Sequence, residues 1–165
     1  MKPASPISPA LMVLAAGITA LSVAFGSQHF GGLQPCELCV LQRWPWGAGI
    51  LFALLAVVIA PARRGFLALA ALSVAVSAGI AAFHVGVEQG WWEGLAGCSA
   101  GATPETLEQL RALVSKAPVV RCTDIPWQAL GLSMAGWNFV AAAATAAFGA
   151  VAAFTPPRPR GLSSW

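Results

Sequence analysis

FLALAALSVAVSAGIAAFHVGV, residues Phe66–Val87, contains no Lys, Arg, Asp or Glu. A helix crosses the hydrocarbon core of a bilayer with about 17–25 apolar residues, and this run is long enough. Three runs of the same kind flank it: Ala10–Phe25, Trp44–Ala60 and Met134–Phe154. Every charged residue of the chain lies outside the four. With 58% hydrophobic and 9% charged residues in a length of 165, no room remains for a soluble domain beside four spans. The sequence therefore predicts an all-α membrane protein in which residues 1–165 form a single integral membrane domain. The expected architecture is an up-down-up-down four-helix transmembrane bundle, with spans at about 10–26, 43–60, 66–87 and 133–154.

The charges orient that bundle. The net charge of +3 is small and scattered, which argues against a nucleic-acid partner. Lys2, Arg63, Arg64, Arg158 and Arg160 fall on the two tails and the loop between spans two and three. With four spans these segments share one face, and the positive-inside rule makes it cytoplasmic. The other face receives the loops at about 27–42 and 88–132, and with them all four cysteines. Cys36 and Cys39 lie in the first of these loops, Cys98 and Cys122 in the second. All four thus face a compartment in which disulfides persist. Lys2 before an apolar run also has some likeness to a cleavable signal peptide. That run is longer than a usual signal region, and cleavage would leave an odd number of spans.

Finer features follow. Six tryptophans, Trp44, Trp46, Trp91, Trp92, Trp127 and Trp137, map to the outer interface, as an aromatic belt would. Spans three and four are rich in small residues, which let membrane helices approach closely. Pro45 suits a first helical turn, or kinks the second span if that helix starts earlier. In the second outer loop Thr103 and Pro104 open an expected amphipathic helix, Pro104–Lys116, with Leu107, Leu110, Leu113 and Val114 on one face.

The chemistry sits in the cysteines. Cys36-Glu37-Leu38-Cys39 spaces two sulfurs within bonding reach on one helical turn, the usual arrangement of a redox dithiol. Arg43, four residues beyond Cys39, falls on the same helix face and favours its thiolate. Cys98 and Cys122 lie far apart in a glycine-bearing loop. From the residues alone, two inert structural disulfides and a relay of exchanging disulfides both remain open. A zinc site would require two close ligand pairs and finds one, so no metal is expected.

CELCVLQR after the first span, the second cysteine pair between spans three and four, AFHVGVEQGWW and ALGLSMAGWN together resemble the disulfide bond formation protein B (DsbB) family over essentially the whole chain. That resemblance implies a bacterial inner-membrane protein with periplasmic cysteines. It would act as a thiol oxidase that reoxidises a DsbA-like thioredoxin-fold partner and reduces a membrane quinone, either ubiquinone or menaquinone. Cys98 and Cys122 would form the disulfide that oxidises the partner, with Cys98 taking the mixed disulfide. Cys122 would exchange with Cys36, and Cys39 would pass electrons to the quinone with help from Arg43. Gln42 and His84 are further candidates for the quinone site, and His84 with Glu88, one turn later, for proton delivery. Two rivals are a vitamin K epoxide reductase-like enzyme, whose Cys-x-x-Cys comes late in the chain, and a non-enzymatic membrane protein stapled by two disulfides.

Overall fold

The computed structural model describes residues 8–94, 106–108 and 120–155. Four helices dominate it: α1 (Ser8–His29), α2 (Glu37–Val58), α3 (Arg63–Glu88) and α4 (Met134–Phe154). A 3₁₀ turn (Ala60–Ala62) joins α2 to α3, and a two-stranded hairpin, β1 (Gln128–Ala129) with β2 (Leu132–Ser133), leads into α4. Each helix is long and apolar enough to cross a membrane, so the chain is a four-helix transmembrane bundle. The helix expected at Pro104–Lys116 lies outside the described residues apart from 106–108.

The second helix begins about six residues earlier than the run of apolar residues suggests. Cys36 supplies the reason: with extended backbone (φ −74, ψ 173) its Sγ accepts the Cys39 N–H, capping the first turn at Glu37. Pro45 therefore falls inside α2, where it cannot donate to the Leu41 carbonyl. Starting at Glu37 also sets the phase of the helix. Leu38, Gln42, Trp46, Gly49, Ala53 and Ala56 all turn inward at intervals of three or four. Trp46 is accordingly buried at 3% exposure and does not join the interfacial belt, whereas Trp44, two residues away, is 75% exposed.

The core is layered along the bundle. At one end Ala10, Val13, Ala53, Ala56, Leu67, Ala70 and Ala153 pack together. Trp46, Val74, Ala78, Ala142 and Ala146 fill the middle. Cys36, Leu38, Val87 and Cys122 close the far end. Small residues set the spacing, as expected for helices that associate by van der Waals contact in lipid. A Cβ at Gly49 would come within 2.8 Å of Val74 Cγ2, and one at Gly149 within 3.1 Å of Ala71 Cβ. At the first end Arg63 Nε donates to Ala56 O (3.0 Å) and Arg64 Nε to Ala153 O (2.8 Å). These bonds satisfy orphan carbonyls in the last turns of α2 and α4, where the helix dipoles favour a cation.

At the cysteine end the GVEQGWW segment has a steric logic. Gly90 takes φ +71 and turns the chain, so that Trp91 N–H reaches Gly86 O at 2.9 Å. Trp92 then folds back over α3. Its Nε1–H donates to Phe83 O (2.9 Å) and its ring stacks on Phe83 with centroids 5.7 Å apart. Any Cβ on Gly86 would overlap that ring. The hairpin is a second anchor, holding Trp137 Nε1 on Ala129 O at 3.0 Å and delivering Ser133 as the N-cap of α4.

Helix α3 packs along most of its length on α2 and α4, and α1 rests chiefly on α2. Contact between α1 and α4 is sparse, and this seam is where the bundle opens.

Candidate active site

Cys36 caps α2 and Cys39 lies one turn inside it, so their sulfurs sit 2.9 Å apart as free thiols. The Cys36 sulfur also receives the Cys39 N–H (3.3 Å) and lies 3.6 Å from His84 Nε2. Donors thus converge on Cys36. Its thiol is drawn down to about 4, chiefly by the hydrogen bond with Cys39; burial opposes this shift and His84 adds to it. The negative charge of the reduced pair therefore belongs on Cys36. The sign is checkable. A thiol with an ordinary acidity near 8.5 loses about tenfold in alkylation rate per pH unit below that value. Cys36 should instead react with iodoacetamide at a rate independent of pH between about 8 and 5, falling only as the pH nears 4. Peptide mass spectrometry of the reduced protein reads this directly, and a slope of tenfold per unit across that range would rule it out.

Cys122 is fully buried in the same apolar cluster as Cys36, although 86 residues of chain separate them. It is disulfide-bonded. A tight turn presents it: Asp124 Oδ2 accepts the Arg121 N–H at 3.1 Å, and Asp124 N–H donates to Arg121 O at 3.2 Å. Cys98 lies outside the described residues.

Beneath the sulfurs runs a chain of buried polar groups. His84 Nδ1 meets Gln42 Nε2 at 3.0 Å, Gln42 Oε1 accepts from Asn138 Nδ2 at 2.6 Å, and Asn138 Oδ1 accepts from Trp46 Nε1 at 2.8 Å. Ser77 Oγ donates to the Gln42 carbonyl (3.1 Å) and lies 3.5 Å from Asn138 Nδ2. On its other side His84 Nε2 is 3.8 Å from Glu88 Oε1, and Glu88 Oε2 accepts from Ser133 Oγ at 2.5 Å. Sequence reasoning identified His84, Glu88 and Gln42 but missed Asn138, Ser77 and Ser133. A lone amide inside an otherwise apolar span was the available signal for Asn138.

A cavity of about 710 Å³ opens beside this chain. The open seam forms its sides, with Ala16, Ala20 and Val23 from α1 and Ala141 and Thr145 from α4. Cys36, Cys39, Gln42, His84 and Arg43 all border it. Arg43 does not stand free at its edge. Its Nη1 donates to Gln28 Oε1 (2.9 Å) and its guanidinium lies over the Phe25 ring, 4.7 Å from the centroid. The sequence had paired Arg43 with Cys39; the interactions of Arg43 in the structure are with Gln28 and Phe25 of α1. The amide of Gln42 is engaged at both ends. Cys36 Sγ, Cys39 Sγ and a His84 ring nitrogen lie within 4.8 Å of one another, a donor set of the kind that holds zinc.

Comparison with known proteins agrees with this arrangement. The family model described as Disulfide bond formation protein DsbB matches residues 7–152. Disulfide bond formation protein B of Aromatoleum aromaticum is 32% identical over 128 residues, 73% of this chain and 76% of that protein. The protein of the same name from Marinobacter nauticus is 33% identical over 131 residues, covering 73% and 75%. In Stutzerimonas stutzeri the figures are 29% over 154 residues, 85% and 90%. No solved structure matches the chain. A match running from the start of α1 nearly to the end of α4 takes in every cysteine, and the chain therefore belongs to the disulfide bond formation protein B family, whose members are multi-pass membrane oxidoreductases of disulfide bond formation.

Proposed function

We propose that this protein reoxidises a periplasmic DsbA-like thioredoxin-fold protein and passes the electrons to a membrane quinone, with both termini cytoplasmic. The observation that carries the reading is the burial of Cys122, from the second outer loop, in one apolar cluster with Cys36, which itself borders an apolar cavity. An inert staple would not need to sit beside a second, reduced cysteine pair.

The exchange balances in three steps. The partner's dithiol reduces the Cys98–Cys122 disulfide through a mixed disulfide at Cys98, leaving the partner oxidised and Cys98 and Cys122 as thiols. Cys122 then attacks Cys36 of a Cys36–Cys39 disulfide, forming a Cys36–Cys122 bond and releasing Cys39 as thiolate. Cys98 attacks Cys122 in turn, restores the outer disulfide and leaves Cys36 and Cys39 reduced. That last distribution, Cys122 bonded and Cys36 and Cys39 free, is the one the structure holds.

The residues fit a quinone. The cavity is apolar, large enough for a substituted ring, and open sideways between α1 and α4 to a lipid-soluble ligand. A quinone bound there supplies the oxidant, taking up two electrons and two protons as the dithiol becomes a disulfide. Cys36 and Cys39 both border the cavity, and the exchange with the quinone is assigned to Cys39, one turn inside α2. Arg43, with N–H groups beyond the one spent on Gln28, offers donors and a positive charge at the rim, suited to the negative charge that develops on a quinone as it is reduced. The apolar walls exclude water from the sulfurs during exchange.

The test is a coupled assay of the purified protein with a reduced DsbA-like protein and ubiquinone or menaquinone. One quinone should be consumed for each partner disulfide formed. On quinone depletion, alkylation trapping should find the cysteines reduced. Partner oxidation that continued at the same rate without quinone would overturn the reading.

A further inference from the structure

The polar chain under the sulfurs has a direction, and its direction reaches a specific atom. An indole N–H can only donate. Asn138 must therefore turn Oδ1 to Trp46 Nε1, 2.8 Å away, because the opposite amide orientation would set two donors face to face. Asn138 Nδ2 then points to Gln42 Oε1 and to Ser77 Oγ, and the Ser77 hydroxyl, spending its hydrogen on the Gln42 carbonyl, is free to accept. With Oε1 taken, Gln42 presents its NH₂ to His84 Nδ1 at 3.0 Å. An NH₂ group offers only hydrogens. Nδ1 must be the lone-pair nitrogen, and the ring hydrogen falls on Nε2.

The other side of the ring agrees independently. Around Nε2 stand acceptors, Cys36 Sγ from α2 at 3.6 Å and Glu88 Oε1 from α3 at 3.8 Å. Ser133 Oγ accepts the Gly136 N–H, so its own hydrogen goes to Glu88 Oε2 and keeps that carboxylate in the accepting role. We propose that the Trp46–Asn138–Gln42 chain is a tautomer lock: it holds His84 as the Nε2–H form, aims a fixed donor at Cys36, and withholds the His84 lone pair from any metal at the dithiol. A histidine that binds a metal normally donates its other N–H to an acceptor in the surrounding shell. Here that shell is reversed, with a donor where a metal site requires an acceptor. A reduced cysteine pair beside a histidine would otherwise be a ready site for soft cations, and the lock keeps it available for exchange. Trp46, Asn138 and Gln42 act through His84 and are positioning residues. The inference rests on side-chain geometry and holds whatever oxidises the sulfurs.

The experiment is ¹⁵N NMR of the reduced protein labelled at histidine, with exposed His29 replaced (His29→Ala) so that one imidazole remains. The expected spectrum shows a protonated Nε2 and an unprotonated Nδ1, assigned through couplings to the ring hydrogens. A protonated Nδ1, or an even mixture of tautomers, would overturn the proposal without touching the proposed oxidase activity. Gln42→Glu supplies the complementary arm: a carboxylate still accepts from Asn138 but now also accepts from Nδ1–H, inverting the tautomer. Zn²⁺ affinity, measured by chelator competition, should be the same in the parent protein and in His84→Gln. In Gln42→Glu it should rise about 10–100-fold, the usual worth of a correct partner in the shell around a metal ligand, and the gain should vanish in Gln42→Glu/His84→Gln. Zinc affinity that fell on His84→Gln in the parent protein would refute the lock. If Gln42→Glu does not fold, the spectrum and zinc titration of the parent decide alone.

Discussion

Cys39→Ser should cut quinone-coupled turnover by on the order of 10³-fold or more, as loss of a covalently reacting group does in other enzymes. The expectation comes from the position of the two sulfurs. Both sulfurs border the cavity and the Cys122 cluster; Cys36 caps α2 at its outer end, and Cys39 lies one turn deeper, on the same helix as Arg43 and Gln42. In the variant, Cys36 can still attack the disulfide held by Cys122. Cys39 is no longer there to resolve that bond from the Cys36 side, and only the Cys98 thiol released by the attack can reverse it, so the link between the two loops should become detectable. Non-reducing peptide mapping would detect a Cys36–Cys122 bond, while quinone absorbance would report the lost turnover. Serine is nearly isosteric with cysteine, so helix content and thermal stability should stay close to those of the parent. Turnover within tenfold of the parent would remove Cys39 from the electron path.

Asn138→Leu should lower stability by about 2 kcal/mol, which is large for one change at a membrane helix interface. Asn138 joins α4 to α2 and α3 through Trp46, Gln42 and Ser77. Individual side-chain hydrogen bonds between membrane helices contribute about 0.6 kcal/mol on average, so three of them approach this sum. Leucine also leaves Trp46 Nε1–H and Gln42 Oε1 buried with their partner removed, and an orphaned buried group costs about 1–3 kcal/mol. Asn138→Asp separates the contributions, since it keeps the acceptor for Trp46 and loses the Nδ2 donor to Gln42 and Ser77. Thermal unfolding in detergent followed by far-UV circular dichroism would measure both. A midpoint for Asn138→Leu equal to that of the parent would show that the chain adds nothing to the bundle's cohesion.

Much of this protein is legible in one dimension because lipid imposes a simple constraint. Backbone polar groups must be satisfied within each span, so uncharged runs such as Phe66–Val87 become helices whatever their neighbours do. Four such runs fix the bundle, and the cysteine spacing fixes a dithiol at the start of α2. The phase of that helix was less accessible. Reading Trp44–Ala60 as the span assigned Trp46 to the interface, but the cap at Cys36 starts the helix at Glu37 and turns Trp46 inward. Hydropathy reports the length of an apolar run, and it is silent on which side-chain oxygen or sulfur ends the helix.

The amino-acid order by itself determined the four spans, the Cys-x-x-Cys and the candidacy of Arg43, His84 and Glu88, because each rests on local spacing or on transfer into lipid. Only the tertiary structure decided that Cys122 shares a buried cluster with Cys36, that donors converge on Cys36, and that Trp46, Asn138, Gln42 and His84 form one directed chain. These depend on contacts between residues 42 to 96 positions apart. Such contacts arise from how small residues let α3 approach α2 and α4, and no periodicity within a single helix encodes them.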